Sequence, residues 1–220
     1  MVPGKEADIS GRAQKKAESR RRILDAAREI FFRDGFMAAN LDEVAEKAGV
    51  AKGTLYRYFE SKADLYVAVL AENGRVFTEK MAQAVEAPGA TLDRLRAISR
   101  FYFEHWTRNS EYFQIFWAID NQAVIGDLPG SVVEEVTRLW GESLRMLHAV
   151  LERGVESGEL RPCDTWAMAN VLWTLANGMI QSENTMARRE LRARPLEAFF
   201  ESGFDTFLLG LVRSDDARDA

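Results

Sequence analysis

The stretch that most restricts the fold is residues 40–62, which read NLDEVAEKAGVAKGTLYRYFESK. Apolar residues recur in it at i, i+3, i+4 and i+7 from Leu41, a spacing that predicts a short helix with one buried face. Asn40 is suited to cap this helix, with Glu43 at the capping-box position. Gly49 tolerates the positive φ that ends a helix sharply, so we expect a second short helix directly after a tight turn.

The second short helix directs its polar side chains outward. Leu55 and Phe59 share the side that can seal against the first helix, whereas Arg57 points away from it. Two short helices with such an exposed polar face form a helix-turn-helix, in which the second helix enters a DNA groove. For Tyr58, packing on the following helix is the alternative. The residues predicted to contact bases or phosphates are Asn40, Lys52, Gly53, Thr54, Tyr56, Arg57, Tyr58 and Lys62.

The run AGVAKGTLYRYFESKADL, residues 48–65, resembles the signature of the tetracycline-repressor (TetR) family of one-component bacterial transcription regulators. That family usually has serine or threonine where this chain has Ala51, so the second short helix lacks a side-chain cap. The resemblance implies an all-α fold, with an N-terminal three-helix helix-turn-helix domain before a larger C-terminal ligand-binding and dimerisation bundle. It also implies a homodimeric repressor that a small hydrophobic or amphipathic effector releases from a palindromic DNA operator.

Charge is distributed unevenly along the chain. The 220 residues carry a net charge of −5, yet residues 1–22 hold seven basic side chains against three acidic ones. We therefore expect only the N-terminal end to meet phosphates. Residues 1–16 are expected to form a flexible basic arm, for which contact with DNA through Arg12, Lys15 or Lys16 is the alternative to a solvated tail.

Helical periodicity extends along the rest of the chain, and about nine helices are expected in total. A helix from Ala17 to Asp34 is closed by Gly35, and a long helix over 61–84 leads out of the DNA-binding domain. Residues 188–194 are predicted to be a charged connection. The predicted divisions are an arm over 1–16, a DNA-binding domain over 17–66, a ligand-binding and dimerisation domain over 67–213, and a disordered tail over 214–220.

Aromatic residues are unusually dense between residues 91 and 180, where they spread around most of the helix circumference. The resemblance implies a ligand cavity in this region, which would suit a largely apolar molecule. Plain core packing is the alternative for each aromatic residue. The predicted wall consists of Phe101, Trp106, Phe113, Phe116, Trp117, Trp140, Trp173 and Met179, with His105, His148 and Asn177 as polar points.

The last two long helices are apolar beyond a single stripe, which predicts a subunit interface as well as core. They cover Thr165–Glu183 and the segment that starts at Pro195. In the resembled family, the last two long helices form a four-helix bundle with their symmetry mates. The predicted interface residues are Leu172, Phe199, Phe200, Phe204, Phe207 and Leu208.

The sequence lacks the motifs of common enzymes. It has one cysteine and two histidines, and the spacing of a metal site, a GxSxG elbow, an HExxH motif and a glycine-rich phosphate loop are all missing. No apolar run approaches about 18 residues, and the N-terminus is not signal-like. We therefore predict a cytoplasmic non-enzyme without cofactor, metal or membrane contact. A C-terminal domain that docks a protein partner, and an activator instead of a repressor, remain alternatives.

Overall fold

The computed structural model of the chain describes residues 4–118 and 129–212, with residues 4–12, 115, 117 and 118 described by backbone only. This part of the chain holds ten helices and no strand beyond one isolated bridge between Leu160 and Val212, so the predicted all-α class is confirmed. The helices are α1 (Gly4–Ala38), α2 (Leu41–Lys47), α3 (Lys52–Tyr58), α4 (Lys62–Val85), α5 (Thr91–Arg108), α6 (Ser110–Ala118), α7 (Gly130–Glu156), α8 (Thr165–Gln181), α9 (Met186–Arg192) and α10 (Leu196–Leu209).

The chain divides into two compact units. The first comprises the residues up to Asn73 together with 115–136, and the second comprises 74–114 and the residues from 137 onward. The boundary therefore falls within α4, whereas the sequence places a division after residue 66. No helix in the described ranges has the length and apolar character needed to cross a membrane.

In the first unit, α1 buries the apolar face that its periodicity predicts. Ile23, Ala27 and Ile30 are fully buried, and Phe31 meets the ring of Tyr66 edge to face at 4.8 Å. The regular helix is interrupted at Gly35, whose φ of 75° lies in the left-handed region and agrees with the predicted end.

The backbone of α1 is already helical from Gly4, in the segment where the sequence predicts a flexible basic arm. The segment before Ile23 is rich in Lys, Arg, Glu and Ala. Such good helix formers extend a helix at little cost once a packed part has nucleated it.

In the second unit, α5, α8 and α10 pack against one another. Phe103 of α5 lies 4.8 Å from Phe200 of α10, measured between ring centroids. Gly203 of α10 faces Met179 of α8, and a Cβ at this position would overlap the Met179 methyl group. A glycine therefore allows α8 and α10 to approach closely.

A short helix, α9, replaces most of the charged connection predicted over 188–194. Its last residue, Arg192, donates to Ser182 Oγ at 3.0 Å and to Glu183 Oε2 at 2.7 Å. These bonds to the end of α8 hold the segment in place. The sequence pattern missed this helix because its stability depends on tertiary partners rather than on an apolar stripe.

Candidate functional site

Helix α3 is held by a buried anchor on one side and exposes polar side chains on the other. Leu55 is completely buried, and Phe59, directly after the helix, is almost so. On the opposite face Tyr56 is 44% exposed, and Lys52 and Arg57 are exposed as well. The structure therefore gives α3 the orientation that a recognition helix requires.

Gly53 is the position on α3 where another molecule could approach the helix backbone closely. A Cβ added at Gly53 would meet no atom within 4 Å, so nothing in the described part of the chain blocks a backbone or phosphate group that approaches this point. Thr54 beside it is half-buried. An open depression next to α3 brings together four of the residues predicted to contact DNA, namely Asn40, Lys52, Tyr56 and Lys62.

Asn40 caps α2 as predicted, but the second hydrogen bond of the predicted capping box is not formed. Asn40 accepts a hydrogen bond from the Asp42 amide at 2.8 Å. Glu43 does not reach back to Asn40, because its carboxylate accepts two hydrogen bonds of 2.8 Å from Arg33 of α1. The Arg33 guanidinium lowers the pKa of the Glu43 carboxyl. A tertiary ion pair thus replaces the local bond that the sequence predicts.

Lys52, at the start of α3, is paired with an acid of α2. Its Nζ lies 2.6 Å from Asp42 Oδ1, and both side chains are more than half exposed. The hydrogen bond to Asp42 raises the pKa of Lys52. A DNA phosphate near Lys52 would compete with this carboxylate, so the pair lowers the gain from the contact without preventing it.

Lys62 and Tyr58 both have partners inside the first unit. Lys62 Nζ donates to the Met37 carbonyl at 2.9 Å and lies 5.3 Å from the centre of the Phe36 ring. Partial burial lowers the pKa of Lys62. The Tyr58 hydroxyl donates to the Lys16 carbonyl of α1 at 3.2 Å. Each residue has a structural role here, and its predicted contact with DNA stays a prediction.

The second unit contains a narrow apolar cavity with a volume of about 40 Å³. Of the predicted wall, only Trp173 lines it. The remaining lining residues are mainly aliphatic. Aliphatic residues recur along every amphipathic helix, so the sequence pattern did not distinguish these as cavity residues. The cavity is lined by Met81, Leu95, Ile98, Ser99, Tyr102, Ser143, Leu144, Leu147, Leu172, Trp173, Ala176, Phe204 and Leu208.

Most of the other predicted wall residues pack against neighbouring side chains. On α5, Phe101, His105 and Trp106 form an aromatic cluster around Phe77 of α4, with ring centroids 5.0–5.3 Å from it. Burial is the main reason why the pKa of His105 falls to about 4, with the charge of Lys80 contributing. His105 is therefore neutral at pH 7.

The positions of the remaining predicted wall residues differ from one another. Phe113 lies 5.9 Å from Trp106, Trp140 lies 5.5 Å from Trp173, and His148 lies 5.4 Å from Trp166, all between ring centroids. Phe116 is buried, and the Trp117 side chain lies outside the described residues. Asn177 and Met179 are buried, and Asn177 bonds Tyr102 of the cavity wall.

Most of the predicted subunit-interface residues are already buried within the single chain. A side chain already covered within one chain has no area left for a partner to bury. Phe199 and Phe207 are half-buried and stay predictions. Both faces of α8 and α10 carry apolar residues in the sequence. Their pattern does not show which face is covered within the single chain. The four predicted interface residues that lie inside the single chain are Leu172, Phe200, Phe204 and Leu208.

The fold and the exposed α3 define a helix-turn-helix protein of the class that binds DNA. Residues 23–69 match the model of the bacterial regulatory proteins of the tetR family. The match covers the helix-turn-helix region, so residues 23–69 resemble the N-terminal domain of this family.

Curated relatives share the N-terminal part most clearly. The transcriptional activator FasR of Mycolicibacterium smegmatis is 35% identical over 103 residues, which cover 47% of each chain. The transcriptional repressor KstR of Rhodococcus jostii is 44% identical over 94 residues, or 42% of each chain. The chain thus spans less than half the length of these relatives.

Similarity to solved structures extends over nearly the whole fold. The transcriptional regulator FadR of Bacillus subtilis, solved in complex with stearoyl-CoA, superposes with a TM-score of 0.68. The alignment covers 85% of this chain and 96% of FadR at 20% identity. At this identity the likeness shows the fold alone.

Proposed function

We propose that the chain is a homodimeric transcriptional repressor that leaves a palindromic operator when a largely apolar small molecule enters the second unit. Such a regulator acts in the cytoplasm and carries out no reaction. The observation that carries the proposal is the exposed face of α3, anchored by the buried Leu55 and directed outward at Tyr56. An activator is the second candidate, because the relative FasR carries that name.

On DNA, α3 would lie in the major groove. Lys52, Thr54 and Tyr56 would meet bases or nearby phosphates, and Arg57 could serve either purpose. The exposed basic side chains in the middle of α1, among them Arg20 and Arg21, add positive charge to the first unit. Two copies of α3 in a symmetric dimer would enter successive major grooves about 34 Å apart.

The exposed face of α8 supports a dimer. Ala167, Val171 and Gly178 are exposed and follow one another at helical spacing. Val171 is 45% exposed, and a Cβ at Gly178 would meet nothing within 4 Å. Small and apolar side chains on one exposed face allow a second helix to pack closely.

The cavity supports an effector with a long apolar part. Its volume of about 40 Å³ lies below the roughly 300–1,000 Å³ common for small-molecule sites, so its lining side chains must move apart to admit a ligand. The name of the related FadR structure includes stearoyl-CoA, a molecule with a long acyl chain. An acyl chain is therefore the ligand class that we propose for this cavity.

Helix α4 is the proposed transmitter, because it starts at Lys62 in the first unit and reaches Met81 of the cavity wall in the second. A ligand shifts the protein away from DNA only if it binds the released conformation more tightly. A change from almost fully bound to almost fully free needs a preference of about 5 kcal/mol.

Replacement of Tyr56 by alanine tests the DNA-binding half of the proposal. The probe is a palindromic fragment that the wild-type protein selects from a random DNA pool. We expect Tyr56→Ala to lose at least about tenfold in affinity in a gel-shift assay, while light scattering still shows a dimer. Leu191→Ala, which changes an 85% exposed apolar residue of α9, is the control and should bind like wild type. Unchanged retention by Tyr56→Ala would refute the assignment of α3.

A further inference from the structure

An open groove lies between α4 and α5 of the second unit and has a volume of about 390 Å³, a size common for small-molecule sites. Lys80 of α4 lines one side of it, and residues of α5 line the rest. Among the described residues, the groove and the apolar cavity share no lining side chain, because α5 presents different faces to them. A ligand of the groove is therefore independent of the proposed apolar effector.

Lys80 and Arg100 are exposed cations of this groove that lack a carboxylate partner. Neither side chain makes an ion pair or a hydrogen bond within the described part of the chain. Glu104 lies one turn after Arg100 on α5 but pairs with Arg108, whose Nη2 is 3.1 Å from Glu104 Oε2. The N–H donors of the Lys80 and Arg100 side chains are thus available to a ligand.

The groove attracts anions. Its three cations face a single carboxylate among the described lining residues, and its His105 is neutral at pH 7, which leaves a net charge of +2. The groove on the other side of α5, towards α10, also includes Arg100, but there four carboxylates stand against two arginines. An anion is therefore drawn to the side of α4 and repelled from the side of α10.

Phe101 adds a fixed aromatic surface beside the cations. Its half-buried ring packs against Phe77 at 5.2 Å and against His105 at 5.6 Å, measured between ring centroids. The part of the ring that stays exposed lines the groove. A ring held in this way can stack on an aromatic ligand, whereas an inorganic anion would leave it uncovered.

We propose that this groove binds a small organic phosphate monoester, with the phosphate between Lys80 and Arg100 and the organic part on Phe101. The inference goes beyond the proposed function, which requires no anion. A phosphate monoester carries a charge of about −1.5 to −2 at pH 7, which matches the charge of the groove. The planar guanidinium of Arg100 can donate two parallel hydrogen bonds to phosphate oxygens, and the Lys80 ammonium adds a point charge.

Isothermal titration calorimetry of the full-length protein with phenyl phosphate at low ionic strength tests the inference. We expect one binding site per chain with a dissociation constant of about 0.1–1 mM. Inorganic phosphate should bind about three- to tenfold more weakly because it does not stack on Phe101, and phenol should not bind. Absence of phenyl phosphate binding would overturn the inference, and so would equal affinity for inorganic phosphate. Neither result bears on the proposed repressor.

Lys80→Gln and Arg100→Gln each remove one cation from the groove and should weaken the binding of phenyl phosphate by about tenfold. Arg75→Gln is the matched control, because it removes an exposed cation of α4 that lies outside the groove and pairs with Glu79. This control should bind phenyl phosphate like wild type. An equal loss in all three variants would show a general effect of protein charge and overturn the site.

Glu104→Gln should have the opposite effect, because it removes a carboxylate from the groove and releases Arg108. We expect phenyl phosphate to bind about three- to tenfold more tightly. Glu142→Gln is the control, since it breaks a similar pair with Arg138 on α7, outside the groove. A Glu104→Gln protein that binds phenyl phosphate no more tightly than wild type would contradict the placement of the phosphate in this groove.

Discussion

Replacement of Ala51 by serine would give α3 the cap that it lacks. Ala51 already has the extended backbone of an N-cap residue, with φ of −69° and ψ of 146°, but no side-chain cap bond is made. Its carbonyl accepts from the Thr54 amide at 2.8 Å. At the corresponding position of α2, Asn40 has a similar extended backbone and bonds the Asp42 amide at 2.8 Å. A serine hydroxyl could therefore accept a hydrogen bond from the Gly53 amide without a change of backbone.

A new N-cap bond contributes about 1 kcal/mol to helix stability, which is roughly a fivefold change in an equilibrium constant. We expect Ala51→Ser to raise the free energy of unfolding by about this amount in urea titrations. The same hydroxyl lies at the DNA-facing start of α3 and can donate to a phosphate when it is not held by the helix. Fluorescence anisotropy with the selected palindrome should therefore show operator binding tightened by about two- to fivefold.

Two further variants separate the cap from the phosphate contact. The N-cap residue of α5 is Ala90, which also makes no side-chain cap bond, so Ala90→Ser should stabilise the second unit without tightening operator binding. Ala51→Asp should cap α3 but repel phosphates, and thus stabilise the fold while it weakens DNA binding. If Ala51→Ser leaves both the unfolding free energy and the operator affinity unchanged, the reasoning about the missing cap is refuted.

Two predictions concern the second unit. Val171→Glu places a charge on the exposed face of α8 and should convert the dimer to a monomer in light scattering, whereas Leu191→Glu on α9 should not; a persistent Val171→Glu dimer would exclude this face. His105 has a pKa lowered to about 4 from 6.5, so NMR should show that its imidazole ring stays neutral down to about pH 5. The unfolded chain binds this proton more readily, so stability should fall as the pH drops from 6.5 towards 4, and His105→Gln should remove that part of the loss. A ring that titrates near 6.5 would contradict the burial of this histidine.

Much of the helix-turn-helix could be predicted because its determinants are close together in the chain. The turn needs a positive φ at Gly49, where the structure has 64°. Ser61 accepts from the Asp64 amide at 3.0 Å, at the residue where the sequence predicts that the next helix begins. Leu55 and Phe59 lie on the buried side because helical spacing alone assigns them to one face.

The aromatic residues of the second unit illustrate the limit of this reasoning. Helical periodicity shows that Trp106 and Phe200 are buried, but not which helix covers them. A cavity forms where side-chain volumes from several helices fail to fill the space, and here aliphatic residues such as Ile98 and Leu147 leave that space. Most of the large aromatic side chains of this unit fill the gaps between helices, and only a few, such as Tyr102 and Trp173, line the cavity.

By itself, the sequence determined the all-α class, the helix-turn-helix and the polar face of α3, because caps, turns and helical periods act over a few residues. Only the tertiary structure decided that Glu43 bonds Arg33, that Lys62 bonds the Met37 carbonyl, and that Asn177 holds the Tyr102 hydroxyl. Each of these bonds joins residues at least ten positions apart. Their formation depends on how the helices are packed, which local spacing does not specify.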